Sequence, residues 1–244
     1  MGKREKEPID LFQHLSMKAA ERRAEAHQAW LQAMSPTQRA EYRGAIMAAG
    51  QIYRCLGDRA EHFGDQKLMQ RIQEKLHDAI RNGAPQPSPR PFVTAWQSLH
   101  SLKVHETKRM SQICRLRPQP QPQRTANELQ LTLEIQSHVF HESPNLSHFQ
   151  FVLGAGLLSD MHYNDAIADY QYQHPTLQGQ FQGTESPVLP INTPTTINLR
   201  LQLPLPDGGL PPGLHLLCSL GLWFWRNEQD GPFFTKTGIE LWVM

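Results

Sequence analysis

Residues 118–136 read Pro-Gln-Pro-Gln-Pro-Gln-Arg-Thr-Ala-Asn-Glu-Leu-Gln-Leu-Thr-Leu-Glu-Ile-Gln, and this stretch decides the fold. Its first half cannot propagate a helix, because alternate prolines lack an N–H and force the residues before them into extended conformations. Its second half alternates apolar Leu129, Leu131, Leu133 and Ile135 with polar partners, the period of a strand with one buried face. Helical spacing dominates before it and period two dominates after it. The sequence therefore predicts an α+β chain: a basic helical region of about four helices over 1–117, a Pro/Gln spacer over 118–124, and an acidic antiparallel β-sandwich of immunoglobulin-like size over 125–244.

Charge divides at the same place. Residues 1–124 hold 21 Lys and Arg against 12 Asp and Glu, whereas residues 125–244 hold 3 against 11, so a formal net charge of +1 conceals halves of +9 and −8. The first half suits an anionic partner and the second does not.

Upstream of the spacer, apolar residues recur at three-four spacing from Asp10 to Leu31. Ser35-Pro36-Thr37-Gln38 then carries the signs of a capping box with proline at the first helical position. The helix it opens should turn Tyr42, Ala45, Ile46, Ala49, Ile52, Tyr53 and Leu56 inward until Gly57. Asp65 caps a third helix, bearing Leu68, Ile72, Leu76 and Ile80, that ends at Asn82-Gly83. Beyond the prolines of 85–91, Thr94-x-x-Gln97 and a looser apolar spacing predict a fourth helix reaching Leu116.

Downstream, alternation returns in Phe149–Leu153, in Leu177, Gly179 and Phe181, and in Ile197–Leu203. Leu214 to Trp225 is apolar on one face and partly apolar on the other, so both faces are expected to be partly buried. Residues 227–231 provide a turn and 233–244 a return strand, giving a terminal hairpin. No apolar run is long enough to cross a bilayer as a helix. The opening residues resemble neither an export signal nor a myristoylation site, and Cys55, Cys114 and Cys218 show no metal-pair spacing. A soluble chain in a cytoplasmic, reducing compartment is expected, with the cysteines as small buried hydrophobes and no cofactor.

For function, Lys103, Lys108, Arg109, Arg115, Arg117 and Arg124 cluster around one acid, Glu106, and could neutralise several phosphates without reading base sequence. Trp223 and Trp225 share a strand face and could form a stacking platform, though a core or interface role is the commoner use of such a pair. His138, His141, His148 and His162, with Asp160, Asp165 and Asp169, offer metal-ligand chemistry, but His138 and His141 converge only if a turn intervenes. Neither a nucleophile elbow nor a phosphate-binding glycine loop is present. The sequence reading is a binding protein rather than an enzyme: an accessory component of a larger assembly, the basic half touching nucleic acid or an acidic protein surface and the sandwich making protein contacts. The alternative is a structural or oligomer-forming protein whose oppositely charged halves pair within or between subunits. A metal-dependent enzyme using 138–169 stands third.

Overall fold

A computed structural model describes residues 21–22, 24–26, 28–82, 96–107, 109–116, 121–123, 128–136, 139–140, 146–203, 205, 209–226 and 238–243. It is a mixed structure, with its helices in the N-terminal half and its sheets antiparallel. Helix α1 includes residues 28–33. Helix α2, Pro36–Leu56, opens with the reciprocal cap that its sequence announces: Gln38 N donates to Ser35 Oγ at 3.2 Å, and Ser35 N donates to Gln38 Oε1 at 3.0 Å. It ends at Gly57, whose φ of 54° is a conformation that costs glycine little. Its buried face centres on Ala45, Ala48, Ala49, Ile52 and Leu56, which turns Ile46 outward, 39% exposed, against expectation.

Two further helices follow, α3 (Arg59–Phe63) and α4 (Leu68–Asn82), the latter burying Leu68, Ile72, Leu76 and Ile80 as its spacing implies. The long fourth helix does not form. In its place are a 3-10 turn, Trp96–Ser101, and a one-turn helix α5, Met110–Ile113, with irregular chain at 102–107. The physical reason lies in α4. The Arg71 guanidinium donates to the carbonyls of Lys103 (2.8 Å) and Val104 (2.7 Å), and the Glu106 amide donates to Asp65 Oδ2 (3.0 Å). Backbone groups that a helix would pair internally are taken by tertiary partners instead.

Two main sheets carry the second half. One runs β10-β9-β3-β6, from β10 (Gly238–Val243), β9 (Leu214–Trp225), β3 (His148–Ser159) and β6 (Phe181–Glu185), with β7 (Leu189–Pro190) also pairing β3. The other runs β1-β2-β8, from β1 (Gln121–Gln123), β2 (Glu128–Ile135) and β8 (Thr195–Gln202). Part of the proline spacer is thus an edge strand, Pro122 lying opposite Leu129, where a missing donor is tolerated. The expected strand through Leu177 and Gly179 begins only at Phe181; Gly179, at φ 74°, belongs to the preceding turn. A hairpin of β4 (Met161–Asn164) and β5 (Asp169–Tyr172) follows β3 in the chain. The terminal hairpin is present, Ile239 opposite Gly221 and Leu241 opposite Ser219, with its turn outside the described residues.

Strands β3 and β9 are buried on both faces. Phe149, Phe151, Leu153 and Leu220, Leu222, Phe224 meet Leu129, Leu131, Leu199 and Leu201 of the other sheet. Leu158 and Leu217 instead join a cluster with Ile52, Leu56, Phe63, Leu76 and Trp96 of the helical half. Burial of both faces explains the nearly continuous apolar run of these two strands. The approach of the helices depends on glycine. Cys55, Arg59 and Phe63 follow one another at four-residue steps, and each rests on the sheet where side chains are absent: Cys55 over Gly156, Arg59 over Gly154 and Gly183, Phe63 over Gly221. Among the described residues, no helix is long and apolar enough to cross a membrane.

Candidate functional site

Residues 100–105 and 109–111, on either side of the break in the expected helix, border β10 and leave with it a hollow of about 310 Å³. Val104, Met110, Ile239 and Leu241 form its apolar walls, and all four are largely buried. Around them stand His100, Lys103, His105 and Arg109, with Glu240 as the acid among the lining residues. Lys103 and Arg109 outweigh Glu240 by one charge. The amide of Thr107 donates to His105 Nδ1 at 3.1 Å, which leaves Nε2 to carry the ring proton in the neutral form.

The backbone of Lys103, Val104 and Glu106 is tied to one ion pair, Asp65–Arg71. Asp65 Oδ1 accepts from Arg71 Nη1 at 2.8 Å and from the Lys67 amide at 2.9 Å, while Oδ2 accepts from the Glu106 amide. Partial burial alone would raise the carboxyl pKa. The hydrogen bonds from Arg71, Glu106 and Lys67, together with the guanidinium charge, outweigh it and hold Asp65 at about 2. Asp65 therefore stays ionised and paired with Arg71, and its Oδ2 also lies 4.0 Å from Nδ1 of His105.

The expected basic residues divide three ways. Lys103 and Arg109 line the hollow. Arg115 is exposed beyond α5, its amide donating to the Val139 carbonyl at 2.8 Å. Lys108, Arg117 and Arg124 lie outside the described residues. Sequence reasoning missed His100, His105 and Glu240. The two histidines flank Lys103 in the sequence and could have been found by extending the basic cluster; Glu240 could not, because it arrives from the far end of the chain.

Trp223 and Trp225 have ring centroids 6.3 Å apart. Trp223 stacks on Phe63 at 5.6 Å with an interplanar angle of 13°, and His62 meets its edge. Trp225 is 5% exposed. Trp223 is packed against α3, and Trp225 is buried beside it.

Of the histidines considered as ligands, His138 and His141 lie outside the described residues. His148 opens β3 and His162 lies beyond its other end, roughly 35 Å away at about 3.3 Å per residue. Among the described residues no group of three or more His, Cys, Asp or Glu could hold a metal. Asp160 is buried and accepts from Trp96 Nε1 at 2.9 Å and His215 Nε2 at 3.0 Å, tying the 3-10 turn to the start of β9. Burial raises the Cys55 thiol to about 12, against smaller opposing effects from Arg54 and the Gly179 amide, and also raises Cys218. Neither supplies a thiolate near neutral pH.

No family model, curated protein or solved structure matches the chain.

Proposed function

We propose that the protein is a non-enzymatic binding component of a larger cytoplasmic assembly, and that it engages nucleic acid through the basic hollow beside β10. The observation that carries this reading is the convergence of Lys103, Arg109, His100 and His105 on one concavity. A solvated helix face would spread such groups around its circumference; here the broken helix gathers them. Cations placed this way release counterions from a phosphate backbone on binding. Within the same reading, the two facing sheets are a β-sandwich of immunoglobulin-like size that makes the protein contacts.

The test is fluorescence anisotropy of labelled oligonucleotides across a salt series. Affinity should fall linearly on a log–log plot, and K103A/R109A should lower the slope by about 1.5, from roughly 0.7–0.9 per neutralised phosphate. Absence of binding even at low ionic strength rejects the reading. The ion pair Arg43–Asp169, 2.9 Å between the helical half and β5, favours a second reading in which the oppositely charged halves serve to hold each other. That reading expects no affinity for oligonucleotides at any salt concentration.

A further inference from the structure

We propose that the hollow accepts one unstacked nucleotide of a single strand, rather than the side of a duplex. The inference rests on the nucleic-acid reading above and specifies the form of ligand. Three observations carry it. The first is size: about 310 Å³ is at the small end of ligand pockets and matches a single small-molecule unit. The second is shape, since two separate parts of the chain line one concavity, Val104 and Met110 from one and Ile239 and Leu241 of β10 from the other. A duplex is convex and keeps its base faces stacked inside, so only a splayed or terminal nucleotide can enter a concavity of this kind. The third is the chemistry of the lining. Lys103 and Arg109 are phosphate partners, whereas His100 and His105 are flat rings, and unstacked bases stack on imidazole as they do on other aromatic side chains. A surface built only for duplex phosphates has no use for rings and apolar walls between its cations.

His100 is exposed and lies outside the Asp65–Arg71 network, which makes it the informative position. The probes are a labelled oligothymidylate of about twelve nucleotides and the same strand annealed to its complement, each titrated against the full chain, H100A, H100F and K103A/R109A at one salt concentration. The single strand should bind about tenfold more tightly than the duplex. H100A should lose roughly five- to tenfold in single-strand affinity with its salt slope unchanged, and H100F should recover most of that loss, because the ring and not the charge is what stacks. K103A/R109A should weaken both probes and flatten the slope. Equal or tighter duplex binding, or H100A behaving as wild type, overturns the single-nucleotide inference while the nucleic-acid reading stands. If neither probe binds the wild-type chain, both fall. Unchanged thermal midpoints in the variants confirm that the affinities compare folded proteins.

Discussion

At Asp65 one carboxylate gathers hydrogen bonds from Arg71, Lys67 and Glu106, and through Arg71 it reaches the carbonyls of Lys103 and Val104. Removing it leaves a guanidinium without its counter-charge and an amide without its acceptor. D65A should therefore cost on the order of 1–3 kcal/mol, measured by urea unfolding. The pH dependence has a definite sign. The folded-state pKa of about 2 lies below the usual Asp value of roughly 3.9, so the stabilisation is complete above about pH 4 and is lost as pH falls toward 2. In D65N the acid limb of the stability profile should be shallower through that window. An identical limb in wild type and D65N would show that other carboxylates produce it.

Among the elements, the junction of α2 and α3 with the sheet is set by absent side chains. A Cβ on Gly156 would lie 2.4 Å from Cys55 Cβ and 2.8 Å from Cys55 Cα, so backbone has to move and no truncation of Cys55 relieves the clash. G156A should destabilise by about 1–3 kcal/mol, and C55A should not rescue it. At Gly221 the obstacle is the tip of the Phe63 ring, 2.3 Å from the Cβ position. There the double variant G221A/F63L should be more stable than the sum of its single variants implies, with a coupling of about 1 kcal/mol or more; strict additivity would mean that the ring swings aside at no cost. These contacts were not legible in the sequence, because a glycine marks a close approach only once its neighbour across space is known. What was legible followed from local rules: the Ser35–Gln38 cap, the Gly57 stop, the faces of α4, and the alternation of β2 and β8. The fourth helix failed because Arg71, more than thirty residues away, takes its carbonyls. The hollow was half legible, its cations being neighbours in sequence while its opposite wall is β10.

The molecule as a whole depends on β3 and β9, each of which feeds both apolar clusters, toward the helices through Leu158 and Leu217 and toward the second sheet through Leu153 and Leu220. A sheet buried on both sides transmits loss of packing from one layer to the other, since its strands cannot keep their register when either face is exposed. One cooperative transition is therefore expected across the change of pattern and charge at 118–124. L76A, in the helix cluster, and L199A, in the sheet cluster, remove fully or nearly fully buried side chains that never share a cluster. Each should cost about 2–5 kcal/mol. Each should also shift one common transition, so that tryptophan fluorescence, in which Trp96 and Trp223 report on the helix cluster, moves together with far-UV circular dichroism, which reports on the whole backbone. A biphasic curve in L76A, with fluorescence lost early and strand signal retained, would show instead that the second sheet and its core fold without the helices.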